Sequence, residues 1–130
     1  MNFEEFRALQ KNTTINSLSV TYVDEGEGDT LLLIHGIPVW GYLWKDCINE
    51  LKKKYRVIIP DLIGYGYSDK RDCFDRAVTA QASIIKKLLT DLEISEYYVV
   101  GHDIGGAVAQ QFTVNNQNTV KKLILMDSVL

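Results

Sequence analysis

Four short runs of apolar and aromatic residues constrain the fold of this chain more than any other feature: Leu31-Leu32-Leu33-Ile34, Val57-Ile58-Ile59, Tyr97-Tyr98-Val99-Val100 and Leu123-Ile124-Leu125-Met126. A strand with one wet face alternates polar and apolar side chains, whereas an unbroken apolar run needs cover on both faces. Segments of helical period separate the runs. Leu43, Trp44, Cys47, Ile48 and Leu51 share one helical face, followed by Lys52, Lys53 and Lys54 where a helix dipole favours positive charge. Ile84, Ile85, Leu88, Leu89 and Leu92 form a second stripe that Asp75 is placed to cap, and residues 105–112 read as a third helix. Parallel strands need helical crossovers, so the pattern predicts an α/β fold: a mostly parallel sheet with helices on both faces.

The first ten residues show no period and are left unassigned. Ser19-Val20-Thr21-Tyr22-Val23 alternates as a half-exposed edge strand does, and Gly26 with Gly28 predicts a hairpin turn after it. At 130 residues the chain fits one domain, residues 1–130. A net charge of −3 without a basic patch argues against a nucleic-acid partner. The N-terminus has neither the basic start nor the apolar stretch of a secretion signal, and no apolar run nears the roughly 20 residues that cross a bilayer. The expectation is a cytoplasmic protein with no membrane partner. Cys47 and Cys73 fit no metal spacing and read as reduced thiols, and Asn12-Thr13-Thr14, though a glycosylation tripeptide, comes with no export signal.

Open parallel sheets place ligands at the carboxyl ends of their strands, and the unusual residues lie there. Gly101-His102-Asp103-Ile104-Gly105-Gly106 joins a strand to a helix, with glycines flanking a central acid. This is the spacing of a nucleophile elbow with aspartate in the serine position. Asp103 has a second reading, the N-cap of the following helix. A second loop, His35-Gly36-Ile37-Pro38 after an earlier buried strand, favours the catalytic one, because the fold would bring the two loops together.

These two motifs, with Tyr42-Leu43-Trp44 and Asp61-Leu62-Ile63-Gly64-Tyr65-Gly66-Tyr67-Ser68-Asp69-Lys70, resemble the haloalkane dehalogenase and epoxide hydrolase branch of the α/β-hydrolases from about residue 19 to residue 130. The resemblance implies an α/β-hydrolase fold seen up to, but not including, its cap and last strands. It implies a small-molecule substrate attacked by Asp103; no cofactor and no metal are expected, since the sequence holds no ligand cluster and no phosphate-binding glycine loop in the required context. A carboxylate with a reference pKa near ~3.9 is an anion at neutral pH and needs no base to attack. Attack on an acyl carbon would give a mixed anhydride, whereas attack on a saturated carbon bearing a leaving group gives an ester that water can cleave.

The backbone N–H groups of Ile37 and Ile104 are the candidate oxyanion donors, and Pro38 has none to offer. In the related enzymes a tryptophan commonly follows the nucleophile, and some dehalogenases carry asparagine where this chain has Ile37. Neither isoleucine offers a side-chain donor to a halide. His35, Gly36, Pro38, Trp40 and His102 are candidate pocket residues, with a structural hydrogen-bonding role preferred for His35 and a core position for Trp44. Asp127, after the last apolar run, is either the acid of the catalytic set or a turn residue, the turn reading slightly preferred. Asp61 reads as a fastener of the glycine loop behind it. The resemblance places the catalytic histidine beyond Leu130, so the chain is expected to be inactive in turnover and to self-associate through an exposed sheet edge. The alternative is an α/β-hydrolase-like ligand-binding module without turnover, or a decayed gene product.

Overall fold

Three of the apolar runs lie side by side in a six-stranded sheet, and the fourth forms its outer edge. The computed structural model describes residues 1–72 and 74–130; Cys73 lies outside the described residues, and Cys47 is a free, exposed thiol. The strands are β1 (Gln10–Ile15), β2 (Leu18–Glu25), β3 (Asp29–Ile34), β4 (Tyr55–Pro60), β5 (Tyr97–His102) and β6 (Val120–Met126), in spatial order β1-β2-β4-β3-β5-β6. Helix α1 (Phe3–Leu9) precedes them, α2 (Ile48–Leu51) lies between β3 and β4, α3 (Val78–Asp91) between β4 and β5, and α4 (Ile104–Asn115) between β5 and β6. Strands β4, β3, β5 and β6 run parallel, while β2 is antiparallel to both its neighbours.

The period of two along β3 explains its composition. Leu32 and Ile34 face Ile85, Leu88, Val108 and Phe112 on α3 and α4, while Leu31 and Leu33 face Phe6, Trp44 and Ile48 on the other side. Ile58 divides from Val57 and Ile59 on β4 in the same way. With both faces covered, every position must be apolar. β6 has the same composition but Ile124 and Met126 remain 51% and 45% exposed, and Val120 and Leu123 pack against the core.

Four local expectations are corrected. Residues 19–23 do not form an edge strand: β2 is paired with β1 on one side and β4 on the other, and Val20 to Val23 are buried. The outer position belongs to β1, whose polar Lys11 and Asn12 are exposed. The hairpin turn is at Asn16 and Ser17, both with positive φ, and not at Gly26 and Gly28, which carry the chain past β4 to β3. The single helix expected over residues 43–51 is a 3-10 turn, Gly41–Trp44, followed by the one-turn α2; neither has a side-chain cap, and Trp44 and Ile48 are buried while Leu43 and Cys47 are exposed. Asp75 does not cap α3 directly: its Oδ1 accepts from the Ala77 amide at 2.8 Å, and Ala77 is the N-cap. Among the described residues no helix is long and apolar enough to cross a membrane.

Candidate active site

Asp103 stands at the turn from β5 into α4 with φ 57° and ψ −123°, a left-handed conformation that costs a non-glycine residue of order 1–3 kcal/mol. What holds it there is steric and local. A Cβ on Gly105 would collide with the Ile34 and His35 carbonyls, and one on Gly101 would lie 2.7 Å from the Ala109 Cβ. Strand and helix can meet at this angle only without those side chains. Gly36 meets the same need from the other loop, since a Cβ there would run into the Asp103 side chain.

The two loops predicted to meet do so. The Ile37 amide donates to Asp103 Oδ2 at 3.0 Å. The amides of Ile37 and then Ile104 hold the Asp103 carboxyl below its ordinary range, because a carboxylate that accepts backbone N–H bonds favours its charged form. Asp103 also occupies the N-cap position of α4 but makes none of the usual side-chain cap bonds; its carboxylate lies between the Ile37 amide of the neighbouring loop and the Ile104 amide that opens the helix. Ile37 is 49% exposed and Pro38 is exposed, giving the carboxylate an aliphatic rim.

His35 is a fastener and not a pocket residue. It is fully buried; its Nε2 accepts from the Leu62 amide at 2.9 Å, so Nδ1 carries the proton and donates to the Gly36 carbonyl at 2.8 Å. Burial pushes its pKa below the ordinary value, against the raising effects of Gly36 and Asp61. A folded-state value below the unfolded one means that unfolding takes up a proton as pH falls below about 6.5. Stability contributed by neutral His35 is therefore present above that pH and declines below it, by at most ~1.4 kcal/mol per pH unit. Urea midpoints at pH 7, 6 and 5 should fall for the native chain, and His35→Gln, weaker at pH 7, should lose that part of the slope; parallel slopes would contradict it.

The remaining candidates divide. His102 is half-buried on β5 beside Asp103, and its Nδ1 is shut off from solvent without a partner. Trp40 is taken up elsewhere, stacked on Tyr42 at 5.4 Å and edge-on to Phe6 and Tyr67 in the aromatic cluster under α1, so it braces the loop. Asp61 is a fastener as expected: Oδ1 accepts from the Gly41 amide at 2.8 Å and Oδ2 from the Tyr67 amide at 2.9 Å. Asp127 is exposed with φ 45° in the turn after β6 and makes the turn reading concrete. That turn is laced to the elbow, however. The Asp103 amide donates to the Met126 carbonyl at 3.2 Å and the Val129 amide donates to the Asp103 carbonyl at 3.1 Å.

Gln110 escaped the sequence reading. From α4 its Nε2 donates to the Val129 carbonyl at 2.9 Å and Ser128 Oγ at 3.2 Å, pinning the segment after Asp127 to the helix that follows Asp103. Gln81 also escaped, although it falls three residues before Ile84 on an apolar stripe; it is buried and exchanges two hydrogen bonds with the Ile63 backbone, at 3.0 and 2.8 Å. Among the described residues no group of three or more His, Cys, Asp or Glu side chains is arranged to hold a metal ion.

Residues 29–130 match the α/β hydrolase fold family. The chain belongs to the α/β-hydrolases. It is 32% identical over 106 residues to haloalkane dehalogenase 2 of Mycobacterium tuberculosis, an alignment covering 82% of this chain and 37% of that protein. It is 36% identical over 116 residues to a soluble epoxide hydrolase of a Corynebacterium species, covering 88% of this chain and 40% of that one. The solved structure of epoxide hydrolase CorEH without ligand superimposes with a TM-score of 0.89 at 33% identity, over 92% of this chain and 42% of that chain. This α/β-hydrolase chain thus spans about two-fifths of the length of these relatives.

Proposed function

We propose that this chain carries the nucleophile of a hydrolase of small organic molecules that works through an aspartyl ester, as its similarity to proteins named haloalkane dehalogenase and epoxide hydrolase suggests. The observation that carries the reading is the Asp103 carboxylate, charged, on a left-handed elbow, with one oxygen held by the Ile37 amide. Oδ1 forms the new bond to a saturated carbon as the bond from that carbon to its leaving group breaks. The electron pair departs with a halide, or stays on an epoxide oxygen, which then takes a proton. Oδ2 becomes the ester carbonyl oxygen, already in the place where Ile37 and Ile104 amides can stabilise the oxyanion of hydrolysis.

Hydrolysis of that ester needs water activated by a base. Both nitrogens of His35 are engaged, and of His102 only Nε2 is left, Nδ1 being closed to solvent. On the reading that His102 Nε2 does not reach the ester, the chain on its own stops there. Exposure of the 130-residue chain to a terminal epoxide or an alkyl bromide should add one equivalent of mass, mapped by peptide sequencing to Asp103. Repeated turnover, or addition at the Cys47 thiol alone, would overturn the reading.

A further inference from the structure

The peptide group between Gly36 and Ile37 is held at both ends. Its N–H is the Ile37 amide that donates to Asp103 Oδ2 at 3.0 Å, and its C=O is the Gly36 carbonyl that accepts from His35 Nδ1 at 2.8 Å. A trans peptide unit is planar and points its N–H and C=O in opposite directions, so the bond made at one end fixes the aim of the other. We propose that His35 is a positioning residue for Asp103, acting through this shared peptide group as the middle of a one-way chain of hydrogen bonds. The chain runs from the Leu62 amide to His35 Nε2, from His35 Nδ1 to the Gly36 carbonyl, and from the Ile37 amide to the Asp103 carboxylate.

The direction of the chain follows from its first donor. A backbone amide only donates, so Leu62, 2.9 Å from Nε2, leaves Nδ1 as the nitrogen that carries the proton. That first donor is itself fixed. On one side of it Gln81 accepts from the Ile63 amide at 3.0 Å and donates to the Ile63 carbonyl at 2.8 Å, and on the other Asp61 holds the Gly41 and Tyr67 amides. The imidazole is fully buried, edge-on to the Tyr65 ring at 5.6 Å. Every dipole in the chain therefore points toward Asp103, and such bonds polarise one another by roughly 10–30% each away from water.

A purely fastening histidine explains only half of this arrangement. The Leu62 bond ties the end of β3 to the segment after β4, but the Gly36 bond reaches the next residue in sequence and joins no two segments. What it does is set the tilt of the peptide that carries the Ile37 amide. Its consequence for reactivity rests on the aspartyl-ester reading: the chain occupies Oδ2, leaves the attack to Oδ1, and keeps a polarised donor on the oxygen that becomes the ester carbonyl. The hydrogen bonds themselves do not depend on that reading.

Nitrogen-15 NMR of the native chain at pH 7 should find His35 protonated at Nδ1 and bare at Nε2; the opposite tautomer overturns the proposal, and this measurement decides even where a variant fails to fold. Asparagine and glutamine then divide the two bonds. An asparagine amide nitrogen falls near the place of Nδ1 and can keep the Gly36 bond, whereas a glutamine oxygen reaches the place of Nε2 and can keep the Leu62 bond. At pH 7 the Ile37 amide proton should move upfield in His35→Gln, and by less than half as much in His35→Asn. The titration midpoint of the Asp103 carboxyl, followed by carbon-13 NMR, should rise by about half a pH unit or more in His35→Gln and by less than half of that in His35→Asn. His102, whose charge also lowers the Asp103 pKa, is present in both variants. Equal changes in the two variants, a larger change with asparagine, or none in a folded His35→Gln chain would each overturn the proposal. A native chain that adds no epoxide while these shifts appear would sink the aspartyl-ester reading and leave the relay standing; normal addition with unmoved shifts in His35→Gln would do the reverse.

Discussion

Gly105→Ala should destabilise the fold by about 3 kcal/mol or more, a large part of the 5–15 kcal/mol by which domains of this size are stable. Ordinary helix propensity points the other way, since alanine inside a helix is favoured over glycine by about 1 kcal/mol. Geometry decides the sign. The added Cβ would meet the backbone carbonyls of Ile34, at the end of β3, and of His35, just past it, which cannot rotate aside as a long side chain would. α4 would have to withdraw from β3, taking with it the burial of Val108, Ala109 and Phe112. Withdrawal also separates Asp103 from the Ile37 amide, so the same substitution should release the Asp103 pKa toward its ordinary value. Urea denaturation followed by circular dichroism measures the stability, and a variant as stable as the native chain would refute the close-approach argument.

The same contrast between steric necessity and contextual choice explains which parts of the fold were legible in the sequence. Residues 31–34 and 57–59 had to be buried strands, because cover on both faces leaves no position for a polar side chain. β1 was not legible. Gln10 to Thr14 are polar, and the strand is held by backbone pairing with β2 and by Asn12, whose Nδ2 donates to Ser19 and Thr21 hydroxyls at 2.8 and 2.9 Å. α1 did leave a signal: Asn2 and Glu5 form a capping box, with the Glu5 amide donating to Asn2 Oδ1 at 2.8 Å. A helix of seven residues with one buried side chain, Phe6, shows too little period to be read otherwise. The pairing of β2 with β4 rather than β3 is a long-range choice that no local pattern encodes.

The site followed the same rule. The elbow was legible because its glycines and central acid fall within six residues of chain, even though the Gly105 clash they avoid is with the distant end of β3, and the Ile37 amide because the loop after a buried strand must end near it. The Gln110 clamp was not, since its partners lie 18 and 19 residues away and a glutamine on an exposed helix face is usually solvated. Trp40 misled for a related reason. A tryptophan two residues past the histidine loop can line a pocket, but Phe6 from the unread α1 supplied the aromatic surface that claimed it.

Asp103→Asn should reduce covalent addition of an epoxide or alkyl bromide by on the order of a thousandfold or more while leaving the fold intact. The two halves of that expectation have separate causes. An amide oxygen is neutral and a poor nucleophile, so the bond to carbon does not form. The same amide oxygen still accepts a hydrogen bond from Ile37, and asparagine tolerates positive φ at least as well as aspartate, so the elbow at φ 57° has no new reason to rearrange. Loss of addition together with an unchanged urea midpoint therefore assigns the chemistry to the charged oxygen of Asp103. Loss of both would mean that the aspartate serves the fold, and retention of addition would move the nucleophile elsewhere. The native chain supplies an internal check through pH. Because the amides lower the Asp103 pKa, its charged form persists as the solution is acidified, and addition should lose half its rate only below the ordinary carboxylate value near 3.8. A midpoint at 6 to 7 would point instead to a histidine acting in the first step.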